Sequence, residues 1–179
     1  MCERQCPALN YIESINFDDP NVYAAWTKDD KIRFDSTSGG IYYELASYFI
    51  NSGGYIVGCV FSDDYKSAKH VVGRTYKDLQ AIMGSKYFQS DTAGIYKRVL
   101  ELLKRNERVL FCGTPCQVAA LRAYLGREYE NLYLLDFICK GINSPKAYIA
   151  YIEELEQKYK STVKCVRPVS YTHLRAHET

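Results

Sequence analysis

Residues 113–117, Gly-Thr-Pro-Cys-Gln, place a cysteine where a predicted strand turns into a predicted helix. Thr114 is typical of a helix N-cap, Pro115 of the first helical position and Gln117 of the reciprocal partner in a capping box. Cys116 then lies among backbone N–H groups that favour its thiolate form. A thiolate attacks electrophiles or binds soft metals. A capped helix with an incidental cysteine has the same sequence, so this motif alone leaves both interpretations open.

A second cysteine, Cys139, has the same setting. It follows the apolar segment 131–138, and Ser144 and Pro145 then open another helical pattern. Two successive strands that each lead through a turn into a helix indicate a parallel α/β arrangement. Because open α/β sheets bind ligands at the carboxyl ends of their strands, we expect Cys116 and Cys139 to be neighbours at that edge. A metal cluster or a redox site needs such a placement.

Length and composition indicate an ordinary globular chain. It has 179 residues, of which 47% are hydrophobic and 25% charged, and its formal net charge is +2. Basic and acidic residues are interspersed, so no basic surface predicts a nucleic-acid partner. No uncharged apolar stretch reaches the roughly 18–20 residues of a membrane span, and the N-terminus lacks the apolar core of a signal peptide. We therefore expect a cytoplasmic protein with no membrane span and no nucleic-acid partner.

The seven cysteines indicate metal or redox chemistry rather than a disulfide framework. Disulfides are rare in the cytoplasm, and an odd number leaves one cysteine over. Cys2 and Cys6, followed by Pro7, have the spacing that ends the bacterial ferredoxin motif C-x2-C-x2-C-x3-C-P. We interpret residues 1–20 as the remnant of a ferredoxin-type 4Fe-4S domain whose first two cysteines would precede Met1.

The last residues, 169–179, resemble a translated sequencing-library adapter, and we exclude them from the expected fold. Without His173 and His177, His70 is the remaining histidine in the sequence, so a Ser-His-Asp triad or a His-rich metal site has no support. His70 alternates with hydrophobic residues on a predicted strand. We expect it to be solvent-facing or satisfied by hydrogen bonds, and not catalytic.

Hydrophobic periodicity predicts the elements around these turns. In chain order they are a helix over 41–52, strands over 55–61 and 68–72, a helix over 77–83 and an amphipathic helix through 95–103. Cys59 lies inside the first strand, where we expect a buried structural cysteine. The helix that opens at Pro145 carries an apolar and tyrosine stripe that we expect to face the core. This stripe consists of Tyr148, Ile152, Leu155 and Tyr159.

The polar loop 84–91 lies between two of these helices. Gly84 would let the backbone approach a ligand closely, and Lys86 with the neighbouring serines could hold a phosphate. An ordinary surface loop with a solvated lysine has the same composition and is the simpler interpretation.

Five motifs, in this order, resemble the beta-subunit family of coenzyme F-420 hydrogenases and dehydrogenases. They are Ala-Ala-Trp-Thr-Lys-Asp at 24–29, Ser-Thr-Ser-Gly-Gly at 36–40, Gly-Ser-Lys-Tyr at 84–87, Leu-Phe-Cys-Gly-Thr-Pro-Cys-Gln at 110–117 and Asp-Phe-Ile-Cys-Lys-Gly at 136–141. The resemblance covers the chain from Asn21 to Lys160. Several ordered motifs are much more specific than any one of them.

The resemblance implies an oxidoreductase that is an iron–sulfur flavoprotein. Members of the family hold 4Fe-4S clusters and a flavin, FAD or FMN, and a ferredoxin domain often precedes them. Their flavin passes electrons between the clusters and a hydride carrier or another reducible substrate. The implied partners are an electron-donor or acceptor protein, such as ferredoxin or partner subunits, and a small-molecule hydride carrier. That carrier need not be the deazaflavin coenzyme, because many bacterial relatives are found among surface-polysaccharide genes.

The resemblance also implies site residues. Cys116 and Cys139 would ligate a 4Fe-4S cluster together with a later C-x2-C pair, which this sequence does not contain. Cys165 stands alone, and Cys112 is expected to be a core or spectator thiol. Lys140 stands where a histidine is common in the family, so a proton-transfer role is not implied there. The residues implied on the phosphate side of the flavin are Ser38, Gly39, Gly40, Ser85, Lys86, Gly113 and Thr114.

The expected fold class is α/β, a mixed sheet with parallel strand–helix units that carry the cysteine turns. The expected divisions are the ferredoxin-type remnant at 1–20, an N-terminal beta-subunit domain at 21–105, the truncated start of a C-terminal beta-subunit domain at 106–168 and the adapter-like tail at 169–179. Two alternatives stay open. One is a non-catalytic electron-relay module that serves a partner enzyme. The other is a cofactor-free dithiol enzyme in which Cys116 attacks and Cys112 resolves, although their spacing is not C-x-x-C.

Overall fold

A computed structural model describes residues 21–87 and 89–166 of the chain. Its strands are β1 (Tyr55–Phe61), β2 (Ala68–Gly73), β3 (Val109–Gly113) and β4 (Leu132–Asp136). They form one sheet in the order β2-β1-β3-β4. β1 and β2 pair antiparallel, whereas β1 with β3 and β3 with β4 pair parallel. The predicted α/β class with a mixed sheet is confirmed.

Helices cover both faces of this sheet. They are α1 (Asp30–Asp35), α2 (Ile41–Asn51), α3 (Tyr76–Ile82), α4 (Ile95–Lys104), α5 (Pro115–Leu125) and α6 (Pro145–Tyr159). Side chains alternate between the two faces along each strand, so neighbouring strand residues enter different cores. Ile56 and Leu110 point to one face, where they pack with Phe49 of α2 and Leu79 of α3.

The opposite face carries the larger core. Val57 and Phe111, both fully buried, pack there with Val99 of α4 and Leu121 of α5. α4 has its apolar residues at the predicted helical spacing, and four of them are buried. The sheet thus lies between two helical layers, and its strand ends lie at the upper and lower edges of the sandwich.

α6 makes a narrower contact with the rest of the fold. It buries Ile152. The half-buried Lys66 of the β1–β2 turn reaches Glu156 and Glu153 on it at 2.9 and 3.5 Å. The predicted core stripe is wrong at its end, because Tyr159 is 67% exposed. A helix that meets a fold over one or two turns buries only those turns.

Sequence periodicity does not predict α1, since six residues make less than two turns. A local signal for it does exist in the sequence. The Asp29 carboxylate accepts hydrogen bonds from the backbone N–H groups of Lys31 and Ile32 at 2.9 and 3.0 Å. An aspartate N-cap of this kind marks a helix start.

The sheet combines the two beta-subunit segments that the sequence analysis divides at residue 105. β1 and β2 come from 21–105, β3 and β4 come from 106–168, and both contribute to the same cores. Their division into domains stays a prediction. Residues 1–20, with Cys2 and Cys6, and the adapter-like tail lie outside the described residues. Within those residues, no helix has the length and apolarity that crossing a bilayer requires.

Candidate functional site

Cys116 and Cys139 follow two neighbouring parallel strands in register. Gly113 pairs with Asp136 at the ends of β3 and β4, and the third residue after each is a cysteine. Both thiols are exposed. The fold therefore puts these two predicted cluster ligands just past adjacent carboxyl strand ends, which is where the sequence predicts them.

The first turn of α5 holds Cys116. Thr114 is the N-cap, Pro115 begins the helix, and Thr114 and Gln117 form the predicted capping box. In that box Gln117 Oε1 accepts a hydrogen bond from Thr114 N at 3.0 Å. Thr114 Oγ1 also lies 3.1 Å from Cys116 Sγ. Because helix N-termini favour negative charge, the first turn of α5 is a position that suits an anionic group.

The described residues would supply two ligands of the implied cluster. Two cysteine thiolates fit two of the four ligands of a 4Fe-4S cluster. Within the described residues, no three His, Cys, Asp or Glu side chains gather as a metal site. Cys165 is also exposed, but it lines a separate groove. The remaining ligands of such a cluster would therefore have to come from outside the described residues.

A groove of about 1440 Å³ opens beside the carboxyl end of β1. Its walls are α1 with the residues that follow it, the β1–β2 turn, the end of α3 with residues 84–86, and residues 162–166. It exceeds the roughly 300–1,000 Å³ of a typical small-ligand pocket, so a dinucleotide fits by volume. Four aromatic side chains line it, namely Phe34, Tyr43, Phe61 and Tyr65. We call this space the β1 groove.

Ser85 and Lys86 line the β1 groove, as phosphate contacts would require. The Ser85 N–H donates to Thr37 Oγ1 at 3.2 Å, which ties this loop to the residues after α1. Lys86 Nζ donates to the carbonyl oxygens of residues 81–83 at 3.2, 2.6 and 2.9 Å. All three ammonium N–H groups therefore have acceptors at the C-terminal end of α3. A phosphate contact by Lys86 would have to replace one of these bonds.

Lys86 lies close to the half-buried Cys59 and Cys112. Burial lowers the pKa of Lys86 to about 8, and the two cysteines oppose that shift. Burial also raises the pKa of Cys112 to about 12 and raises that of Cys59, while Lys86 opposes both shifts. The three carbonyl acceptors on Lys86 further favour its charged form. Cys59 and Cys112 are therefore protonated at neutral pH and are weak nucleophiles.

The glycine loop before α2 packs against the chain itself. Gly40 is the N-cap residue and has a φ of 78°, in the left-handed region. A Cβ on Gly39 would lie 2.8 Å from Ala25 O, and one on Gly40 would lie 2.6 Å from Thr27 Cγ2. Because these glycines have no side chains, the segment before α1 can pack directly against this loop. Flavin contact by this loop, including Ser38, stays a prediction, and none of its three residues lines the β1 groove.

Gly113 and Thr114, also implied as flavin contacts, lie at the Cys116 turn. Neither lines the β1 groove. A Cβ on Gly113 would meet Phe111 Cε1 at 3.0 Å and Gln117 Oε1 at 3.1 Å. The observed contacts of this pair are with the helix cap, and their contact with a flavin stays a prediction.

His70 on β2 is buried and hydrogen-bonded at both ring nitrogens. Its Nδ1 lies 3.1 Å from Ser90 Oγ and its Nε2 lies 3.2 Å from Cys112 O. The ring stacks on Phe111 with a centroid distance of 5.6 Å. The expectation of a satisfied histidine is confirmed, and the solvent-facing alternative is wrong because β2 turns this side chain into the core under α4 and α5. Burial lowers the pKa of His70, opposed by its bond to the Cys112 carbonyl.

Ser90 joins His70 to α5, a role that the sequence does not indicate. Gln117 Nε2 donates to Ser90 Oγ at 2.9 Å. Ser90 is 20 positions from His70 and 27 from Gln117 along the chain. A serine in a polar loop carries no local signal of such partners, so only the tertiary structure finds it.

Two family descriptions match most of the chain. Residues 22–97 match the N-terminal part of the coenzyme F420 hydrogenase/dehydrogenase beta subunit, and residues 106–177 match the C terminus of the same subunit. The second match extends into the adapter-like residues, which lie outside the described ranges. Among curated proteins, none matches the chain.

A solved structure has a similar fold. It is a xenon derivative of the F420-reducing NiFe hydrogenase complex from Methanosarcina barkeri, with a TM-score of 0.60 and 21% sequence identity. The alignment covers 77% of this chain and 52% of that one, so this chain spans about half the length of the relative. The N-terminal and C-terminal matches follow one another in the order of a single subunit, and the protein therefore belongs to the coenzyme F420 hydrogenase/dehydrogenase beta-subunit family.

Proposed function

We propose that the protein is an oxidoreductase subunit of the iron–sulfur flavoprotein type, which passes electrons between 4Fe-4S clusters and a flavin. One observation carries this proposal. The exposed Cys116 and Cys139 follow adjacent parallel strands in register, at the sheet edge where α/β folds bind ligands. Family membership supports the same chemistry.

The order of features along this edge supports electron transfer. The β1 groove lies at the carboxyl end of β1, and the cysteine turns follow β3 and β4. β1, β3 and β4 are neighbours in the sheet and run parallel, so all three features lie at the same edge. A flavin in the groove and a cluster at the cysteines would thus share one side of the protein.

The residues of the chain would have distinct tasks. Cys116 and Cys139 would each supply a thiolate, and the N-terminal dipole of α5 would stabilise the negative charge at Cys116. The aromatic side chains of the β1 groove would bind a planar ring, and Ser85 would lie beside its phosphates. When bound, the cluster supplies one-electron chemistry and the flavin supplies hydride chemistry.

The partners of this reaction are proposed by chemical class. An electron-donor or acceptor protein, such as a ferredoxin or a partner subunit, would exchange electrons with the clusters. A small hydride carrier would react with the flavin. The solved relative belongs to an F420-reducing complex, so a deazaflavin coenzyme is the first carrier to test. A substrate linked to polysaccharide biosynthesis is the second.

The proposal is tested by cofactor analysis of the intact protein purified without oxygen. We expect a flavin spectrum over a broad cluster absorption, with stoichiometric iron, sulfide and flavin. Cys116→Ala and Cys139→Ala should each lose iron and sulfide. The matched control is Cys165→Ala, which removes an exposed thiol that is not a proposed ligand and should keep the wild-type content. A folded, colourless wild-type protein would refute the proposal.

The same experiment separates the alternatives. An electron-relay module would hold iron and no flavin. A dithiol enzyme would be colourless, and its activity would survive chelation but not alkylation of Cys116. The raised pKa of Cys112 weighs against that enzyme, because a resolving cysteine must attack as a thiolate.

A further inference from the structure

Three side chains form one chain of hydrogen bonds between β2, the loop before α4, and α5. Gln117 Nε2 donates to Ser90 Oγ at 2.9 Å, Ser90 Oγ lies 3.1 Å from His70 Nδ1, and His70 Nε2 lies 3.2 Å from Cys112 O. At its other end, Gln117 Oε1 accepts from Thr114 N at 3.0 Å. These hydrogen bonds therefore hold the peptide groups on both sides of Gly113, the last residue of β3.

The direction of every bond in this chain follows from the Gln117 amide. Its oxygen faces the N–H of Thr114, so its NH2 group faces Ser90, whose oxygen must accept. The Ser90 hydroxyl is then left to donate to His70 Nδ1. His70 consequently carries its proton on Nε2 and donates to the Cys112 carbonyl, which is the neutral tautomer assigned from the network.

The surroundings hold these side chains in place. The His70 N–H donates to Asp91 O, and the Asp91 N–H donates to Ala68 O, both at 2.8 Å, so the loop of Ser90 lies against β2. The His70 ring stacks on Phe111. On α5, Gln117 O accepts from the Tyr96 hydroxyl of α4 at 3.2 Å. His70 is buried and Ser90 and Gln117 are half-buried, so their hydrogen bonds are costly to leave unmade.

We propose that His70, Ser90 and Gln117 form a clamp that positions the thiol of Cys116. The clamp fixes the peptide groups on both sides of residue 113, and Cys116 is two residues past the second of them. The direction of its thiol therefore follows from the clamped turn. That the clamp positions a ligand of the cluster rests on the proposed function. The three are positioning residues, since they act through the backbone of the turn.

The central test variant is Ser90→Ala, which removes the hydroxyl that joins the two halves of the clamp. In the intact protein, we expect amide hydrogen exchange in the peptide 110–118 to become about fivefold faster, the factor of one net hydrogen bond. After iron is removed with a chelator, the rate of Cys116 alkylation at a fixed pH should change. The rate at Cys139 should not, because Cys139 follows β4 and has no bond to the clamp.

Three further variants make the test specific. Ser90→Thr keeps the hydroxyl and should restore both readouts. Ser52→Ala removes a serine hydroxyl at the opposite edge of the sheet. There the hydroxyl donates to Tyr48 O at 2.9 Å and accepts from Arg108 Nη1 at 3.1 Å, and its loss should leave both readouts unchanged. Gln117→Glu keeps an acceptor for Thr114 but loses the donor to Ser90. Its amide exchange in 110–118 should therefore rise as in Ser90→Ala, and this readout tests the clamp even if Ser90→Ala does not fold. Its alkylation is not compared, because the new carboxylate lies next to Cys116.

Wild-type exchange in Ser90→Ala and Gln117→Glu, with an unchanged rate of Cys116 alkylation in Ser90→Ala, would overturn the clamp. Equal rate changes at Cys116 and Cys139 would also overturn it, because they would mean general loosening of the fold. Neither readout depends on a bound cluster. A wild-type protein without iron would therefore refute the proposed function, while exchange and alkylation would still decide the clamp.

Discussion

Gly113 and Asp136 form the last residue pair of the parallel ladder between β3 and β4. Both strands therefore end at the same level of the sheet, and in each case the third residue after the strand is a cysteine. A shift of one residue in this register would place the two turns at different heights. The pairing of two apolar strands therefore sets the positions of Cys116 and Cys139 relative to each other.

If both cysteines hold one cluster, their removal should not be additive. We expect the Cys116→Ala/Cys139→Ala double variant to lose no more iron and sulfide than either single variant, because loss of one ligand already opens the site. The measurement is iron and sulfide per flavin after purification without oxygen. Losses that add up would indicate that the two cysteines serve different sites.

The cap of α5 should contribute measurably to stability. Thr114→Ala removes the N-cap hydroxyl of the capping box and should lower the free energy of unfolding by about 1 kcal/mol. Thr114→Ser retains the oxygen and should stay near the wild type. Urea unfolding of both variants, compared at constant m-value, checks this. An unchanged midpoint in Thr114→Ala would show that the box contributes little here.

Gly58 lies where the sheet and α3 approach most closely. A Cβ there would lie 2.3 Å from Ile82 Cγ2, and Ile82 is buried. Gly58→Ala should therefore cost about 1–3 kcal/mol through overpacking. The Gly58→Ala/Ile82→Ala double variant should be more stable than the sum of the two single losses predicts, since the smaller side chain makes room. Strict additivity in a double-mutant cycle would contradict this packing.

His70 should make stability depend on pH. Burial lowers its pKa in the folded protein below the ordinary value of 6.5, so the unfolded chain binds the proton more readily. Its contribution to stability is complete above about pH 6.5 and is lost as the pH falls through the lower, folded pKa. The urea midpoint of the wild type should thus fall between about pH 7.5 and pH 5.5.

The His70→Gln variant lacks the titrating ring and should show a smaller fall over the same range. Carboxylates with lowered pKa values, such as Asp78 and Glu156, act at lower pH and are common to both proteins. The difference between the two pH profiles therefore measures the contribution of the His70 ring. Parallel profiles would show that His70 titrates alike in the folded and unfolded chains.

The two ends of the α6 stripe should respond differently to truncation. Ile152 is 4% exposed and Tyr159 is 67% exposed. Ile152→Ala should cost about 2–5 kcal/mol, the usual range for a buried aliphatic residue. Tyr159→Ala should stay within about 0.5 kcal/mol of the wild type. Equal losses in urea unfolding would mean that α6 contacts the fold along its whole length.

Most elements of the fold were predictable from local sequence. The β1 range is the predicted one, and α5 and α6 begin at the prolines that the N-cap signals indicate. These signals are local, because a cap or an alternating apolar run specifies its own backbone. The predictions failed where the extent of burial matters, as at Tyr159. Helical periodicity shows which residues share a face of the helix, but not how much of that face other elements cover.

The cysteine edge was predictable for a different reason. Two strand–turn–helix units in succession imply parallel strands, and parallel strands bring their following turns to one edge. The groups around His70 were not predictable in this way. Its partners come from a loop and from a helix that lie far away in the sequence, and no spacing rule connects them.

By itself, the sequence determined the α/β class and the family of the protein. It also determined the capped turn of Cys116 and the location of this turn at the same edge of the sheet as the turn of Cys139. Local hydrogen bonds, apolar periodicity and ordered motifs carry that information. Only the tertiary structure decided that Lys86 caps α3 beside the β1 groove, and that Ser90 joins His70 to Gln117. Such contacts arise when the sheet and both helical layers close together, because packing selects partners by position in space and not along the chain.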